Sequence, residues 1–274
     1  MILLVLIPLA LLALILGIFL CLVMPRVGDR ADMDLLCTDY AHRGLWDTKI
    51  PENSMAAFAN ALRHGYGIEL DIRLTKDSKL VVFHDDDLRR MCGIDKRVRE
   101  LTLSELRGLT LRGTKEPIPT LAEVLALVDG AVPLLIEIKG DGTEHAICRR
   151  AVSLLDGYRG AFAIEAFDPR ILAWFKSHRP RYARGQLVTR LHAGKTPGAP
   201  QSKLTCFALS HMLLNVLSRP DFIAIDGKEL SSLSFRLPTL LFRPTVFVWT
   251  VRTTGQYRLC RSHSYFTIFE GLRP

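Results

Sequence analysis

Glu69 and Asp71 stand two residues apart in the apolar run Ile68-Glu-Leu-Asp-Ile-Arg-Leu-Thr75. Side chains on a strand alternate between faces, so the two carboxylates share one face of a segment that otherwise reads as core. Carboxylates side by side repel each other, and their charge is costly to bury unless a cation compensates it. A divalent metal is the simplest compensation. The run Leu134-Leu-Ile-Glu-Ile-Lys-Gly140 repeats the pattern, with Glu137 and Lys139 on one face. Three carboxylates and a lysine on two buried strands suggest a metal site that takes an anionic substrate.

These strands belong to a longer rhythm. Strand-like apolar runs recur at 35–40, 67–75, 133–139, 162–167, 184–188, 222–225, 245–251 and 265–269. Helix-like stretches at 54–63, 121–128, 144–155 and 169–177 lie between them, with Asn53-Ser54, Thr120 and Asp168-Pro169 as candidate caps or first-turn residues. Eight strands alternating with helices predict a closed parallel barrel. A doubly wound open sheet is the alternative, but no glycine-rich nucleotide loop supports it. Two intervals break the rhythm. Residues 76–120 start with a turn at Lys76-Asp-Ser-Lys79 and predict a hairpin returning from strand two, followed by a small insertion ending near Pro117-Ile-Pro119. Residues 189–221 predict a loop marked by Gly194, Pro197, Gly198 and Pro200, then a helix over 211–217.

His42-Arg43-Gly44 closes the first strand, Pro51-Glu-Asn-Ser54 opens the first helix of the barrel, and Glu69-Leu-Asp71, Phe83-His-Asp85 and Glu137-Ile-Lys139 follow. In this order and at these spacings the set resembles the glycerophosphodiester phosphodiesterase family. The match is densest up to Gly140. Beyond it, Ala166-Phe-Asp-Pro169 resembles a Ser-Phe-Asp-Pro segment of that family, with alanine for serine, and Trp249-Thr-Val251 resembles a late Trp-Thr-Val strand. Phe269-Glu-Gly-Leu-Arg-Pro274 stands where many members carry Thr-Asp-x-Pro.

The resemblance implies a TIM barrel that hydrolyses glycerophosphodiesters. Glu69, Asp71 and Glu137 would hold one divalent cation, and His42 and His84 would be the acid and base. Oxygen ligands suit Mg²⁺ or Ca²⁺, with Mn²⁺ also admissible. Arg43 and Lys139 are placed to stabilise phosphoryl oxygens. Glu52, Glu165 and Trp249 are candidates for supporting the site or touching substrate. Arg73 shares the face of Glu69 and Asp71 and could neutralise them without touching substrate. The family chemistry allows a neighbouring glycerol hydroxyl to attack phosphorus, giving a cyclic phosphate that water opens. A lysophospholipase D or sphingomyelinase D-like activity is the alternative within the enzyme class. A silent binding or scaffold protein is the alternative outside it, but a degenerate member should have lost a ligand or a histidine, and none is lost.

Residues 2–24 carry no charge and are long enough to cross a bilayer as a helix. No basic start and no small-residue cleavage pattern accompanies them, which argues for an uncleaved anchor. The expected organisation is an anchor over 1–25, a juxtamembrane linker over 26–34 and a barrel over 35–274. Arg26 and Arg30 follow the run, so the positive-inside rule puts the barrel in the cytoplasm of a single-pass protein. Outside the anchor Cys37, Cys92, Cys148, Cys206 and Cys260 form an odd set without framework spacing, as reduced thiols do. The net charge of +8 suits anionic lipid headgroups. No basic stripe interleaved with aromatics is present, so nucleic acid is not expected as a partner. A small-molecule or lipid phosphodiester is; the anchor makes a lipid attractive by holding the site near the bilayer.

Overall fold

Eight parallel strands close into a ring in the computed structural model, which describes residues 2–27, 33–140, 142–196 and 199–274. Asp29, Arg30, Asp32, Pro197 and Gly198 lie outside the described residues. The ring is β1 (Tyr40–Ala41), β2 (Gly67–Leu74), β4 (Leu134–Ile138), β5 (Phe162–Ala166), β6 (Ala183–Val188), β7 (Phe222–Asp226), β8 (Thr245–Val251) and β9 (Phe266–Phe269), with β9 pairing back to β1. A ninth strand, β3 (Leu80–Val82), runs antiparallel on β2, which is the predicted hairpin. This is a TIM barrel with an N-terminal apolar helix, α1 (Ile2–Val23).

The surrounding helices are α2 (Met55–Arg63), α5 (Leu121–Val128), α6 (Glu144–Leu155), α7 (Pro169–His178), α8 (Lys203–Ser210), α9 (Asn215–Ser218), α10 (Leu233–Phe242) and α11 (Thr254–Ser262). Ser54, Thr120 and Asp168 cap α2, α5 and α7, each accepting a backbone N–H from two or three residues on. The insertion after β3 carries the short α3 (Arg89–Cys92) and α4 (Leu103–Leu106). It folds around its own apolar cluster of Phe83, Leu88, Met91, Val98, Leu106 and Leu111.

Strand alternation separates two cores. Ile68, Leu70, Ile72, Ile136 and Ile164 face the helices and pack with Phe58, Ile171 and Phe175. Tyr40, Leu135, Phe222 and Phe247 face inward and fill the barrel floor. Gly185 on β6 makes that floor possible, because a Cβ there would sit 1.9 Å from the Phe222 ring. The run expected as a first strand over 35–40 behaves differently. Asp34–Leu36 forms a 3₁₀ turn, and pairing starts only at Tyr40. Leu36 and Tyr40 are drawn into the floor, where the Tyr40 hydroxyl donates to the Leu36 carbonyl at 2.8 Å. The helix expected over 211–217 is likewise split between α8 and α9, with His211 as the α8 C-cap.

The end of α1 is docked on the barrel. Val23 is 1% exposed and belongs to the core between strands and helices, and Phe19 packs against it. Arg219 donates to the carbonyls of Cys21 and Met24 at 2.9 and 3.0 Å, and Asn215 donates to that of Val23 at 3.2 Å. The first segment therefore does contribute to the core. A chain beginning at residue 19 is expected to keep the full-length denaturation midpoint. One beginning at residue 31 should lose about 1–3 kcal/mol, the worth of one buried valine and its neighbours. Equal midpoints for the two truncations would show that the dock contributes nothing.

Candidate active site

Barrel sites form at the carboxyl ends of the strands. In the register of this barrel, Asp71 lies opposite Glu137, and Glu137 opposite Glu165. Three inward carboxylates thus stand in one row across β2, β4 and β5, with Glu69 one inward position below Asp71. Oxygens of Glu69, Asp71 and Glu137 all lie within 4.8 Å of one another, and all three residues are buried. Lys139 Nζ lies 2.8 Å from Asp71 and 2.6 Å from Glu137. Arg43 Nε lies 3.4 Å from Asp71, and Asn53 donates to Asp71 at 2.8 Å.

The electrostatics of this row are unbalanced. Burial, and then the charges of Asp71, Glu165 and Glu137, push the Glu69 carboxyl well above its usual range. Burial, and then Glu137 and Asp71, do the same to Glu165. Burial also acts on Asp71, but Lys139, His84 and Arg43 outweigh it and hold Asp71 well below that range. Fully ionised, four carboxylates against Lys139 and Arg43 leave two negative charges, the charge of one divalent cation. Hard oxygen donors at mutual distances under 5 Å suit such an ion.

Both expected histidines reach this place. His42 follows β1, and His84 is carried by the turn after β3. They line one pocket of about 410 Å³ together with Glu69, Glu137, Lys139 and Trp249. His42 Nδ1 is 2.9 Å from Glu270, and His84 Nδ1 is 2.7 Å from Asp85. Each imidazole therefore has a carboxylate at Nδ1, which fixes the ring. His42 Nε2 is 3.9 Å from Glu69. Burial lowers the pKa of both rings, against the opposing pull of Glu270 on His42 and of Asp71 on His84.

The supporting residues divide. Arg43 has a positive φ of 58°, a strained conformation for a non-glycine residue. That backbone aims its N–H at Glu69, 2.9 Å away, and its guanidinium at Glu52, 2.7 Å away. Glu52 also accepts from Arg90 of the insertion at 2.7 and 2.9 Å. Glu52 thus ties the insertion to Arg43. Glu165 and Trp249 line the pocket, and the indole N–H of Trp249 donates to the Ala224 carbonyl at 3.0 Å. Arg73 grips the His84 carbonyl through two donors at 2.8 and 2.9 Å and lies 3.6 Å from Asp86, so it positions the turn that carries His84.

Sequence reasoning missed Asn53, Asp85, Arg90, Lys228 and Glu270. Lys228 lines the mouth and makes no ion pair among the described residues. Glu270 and Lys228 each follow the end of a barrel strand by one or two residues, the same place as His42, and that position was the available signal.

Fold and site together define a TIM barrel whose mouth presents a carboxylate triad that could hold a metal ion, beside two carboxylate-backed histidines. Residues 42–225 match the model of the glycerophosphoryl diester phosphodiesterase family, and the chain belongs to that family. It is 45% identical over 108 residues to a glycerophosphodiester phosphodiesterase of Caldanaerobacter subterraneus, covering 36% of this chain and 44% of that one. It is 32% identical over 190 residues to YhdW of Bacillus subtilis, 65% of this chain and 77% of that protein. To the human lysophospholipase D GDPD1 it is 33% identical over 135 residues, 44% of this chain and 42% of that one. The chain thus spans less than half the length of two of these three relatives. Among solved structures, a glycerophosphodiester phosphodiesterase of Thermotoga maritima superposes with a TM-score of 0.65 at 28% identity, covering 85% of this chain and 94% of that one. An Oleispira antarctica phosphodiesterase, solved with sn-glycerol-3-phosphate, shares the fold with a TM-score of 0.69 at 22% identity, over 85% of this chain and 92% of that one.

Proposed function

We propose that this chain hydrolyses glycerophosphodiesters to an alcohol and glycerol phosphate, using one divalent cation and two histidines. The observation that carries the reading is the cluster of Glu69, Asp71 and Glu137, two of which, Glu69 and Glu137, line the same pocket as His42 and His84. The three carboxylates would hold Mg²⁺, Ca²⁺ or Mn²⁺, which when bound supplies charge to neutralise the phosphoryl oxygens. One imidazole takes a proton at Nε2 from the attacking hydroxyl, and the carboxylate at its Nδ1 stabilises the imidazolium. The other imidazole delivers a proton to the leaving oxygen. Lys139, Arg43 and Lys228 bring positive charge to the phosphate, and Trp249 forms an apolar wall beside it. Glu52 and Glu165 support Arg43 and the carboxylate row.

The same reading makes residues 1–25 a membrane anchor, 26–34 a linker and 35–274 the barrel domain. An 18-residue window of α1 has a mean hydropathy of 3.1, and its length suits a bilayer. Arg26 and Arg30 favour a cytoplasmic barrel. A lysophospholipase D activity is the second reading, favoured by the human relative.

Full-length protein is expected to release glycerol phosphate from soluble glycerophosphodiesters and to act more slowly on lysolipids. Faster cleavage of lysolipids would select the second reading. No cleavage of either class with any of the three metals would overturn the enzyme reading.

A further inference from the structure

A second cavity, of roughly 310 Å³, lies where α1 meets the barrel. Its lining includes Arg26, Lys176, Arg184 and Arg219, with Met24 and Val27 forming apolar wall beside the end of α1. Asp221 lies 3.4 Å from Arg26 and accepts the Arg184 backbone N–H at 3.0 Å. Four basic side chains thus share the wall of one cavity. Lys176 donates to the Leu217 carbonyl at 3.0 Å. Burial, then Arg219 and Arg184, lower its pKa, a sign of crowding among like charges. Arg184 is 2% exposed, and its Nε has no hydrogen-bond partner among the described residues. Its terminal nitrogens donate to the carbonyls of Pro180, Tyr182 and Arg219 at 3.3 Å, neutral acceptors that leave the guanidinium charge in the cavity wall uncancelled.

Length places this cavity at a definite depth. The 22 residues of α1 reach about 33 Å, against about 30 Å of bilayer hydrocarbon. Val23, the last of them, is already in the protein core, so no slack separates helix from barrel. On the anchor reading given above, the cavity therefore opens among the lipid headgroups. Basic pockets beside membrane helices take anionic headgroups.

We propose that this cavity binds the phosphate of an anionic lipid headgroup and so locks the barrel to the bilayer at the root of α1. Free phosphate shares the chemistry, but the wall of Met24 and Val27 continues into α1, where acyl chains lie.

The test is native mass spectrometry of the full-length chain in detergent, offered phosphatidylglycerol, phosphatidylcholine or glycerol phosphate in turn. Phosphatidylglycerol should be retained preferentially. Lys176→Glu should weaken its retention about tenfold, while Lys115→Glu, the same charge change on an exposed loop of the insertion, should leave it unchanged. Arg26→Gln should weaken it in the same direction. Equal retention of both lipids, equal effects of Lys176→Glu and Lys115→Glu, or glycerol phosphate competing as well as lipid would each overturn the proposal. The intact mass in the same spectra separates this from the anchor reading. A chain that has lost α1 would sink both, and a chain that retains α1 without lipid preference would sink the headgroup site alone.

Discussion

Replacing His42 or His84 by alanine is expected to lower kcat by at least about a hundredfold, the ordinary worth of a positioned acid or base. Both rings line the pocket and both have Nδ1 held by a carboxylate, which leaves Nε2 for proton transfer. Cation binding should survive in each variant, because neither histidine belongs to the carboxylate triad. The pH–rate profile of the intact protein should be bell-shaped, and each variant should lose one limb. Since burial lowers both imidazoles from the usual value, the group acting as base stays deprotonated to a lower pH than a free histidine. Its limb in kcat/KM should thus fall on the acid side of about 6.5. A near-normal rate in either variant would return that histidine to a structural role.

Removing divalent cations should abolish turnover, and Mg²⁺, Ca²⁺ or Mn²⁺ should restore some or all of it. The buried row carries two uncompensated negative charges once fully ionised, and that is the physical reason. Asp71→Asn keeps the shape of the side chain and removes one charge, so calorimetry should find weaker cation binding with the thermal transition retained. Competition with protons gives a second handle. Glu69 is raised well above its usual range and is therefore protonated at a higher pH than a free glutamate. Burial pushes Glu137 up to about 7 as well, so apparent cation affinity should rise with pH and decline as pH falls below neutrality. Full activity in thoroughly metal-free protein would contradict the assignment.

The strands and the acidic row were legible because both follow from alternation. Glu69, Asp71, Glu137 and Glu165 interrupt apolar runs at strand parity, and a two-residue period needs no knowledge of the fold. The caps at Ser54, Thr120 and Asp168 were legible for the same local reason. The 35–40 run was misread because apolar residues that plug a barrel floor look like residues that pair in a strand. The place of Glu270 just past a strand could have marked it, but its pairing with His42 was invisible, because 228 residues separate the two and no local pattern couples them. Asn53, Arg90 and Lys228 are polar residues in loops, where composition is silent about direction. Their importance comes from where the closed ring brings them.

The attachment point of α1 bears on how substrate arrives. Arg26 contacts the carbonyls of Pro180 and Pro220, which precede β6 and β7, whereas Asp226 ends β7 at the mouth and Lys228 follows it. Root and mouth therefore lie at opposite ends of the barrel, separated by at least the roughly 17 Å of a five-residue strand. On the anchor reading the protein is tethered tail-first, with its opening turned to the water rather than to the leaflet beneath it. A lysolipid in that leaflet would have to desorb before it could be cleaved. A water-soluble diester would meet the opening by free diffusion, and its capture would be indifferent to the composition of the surrounding lipid.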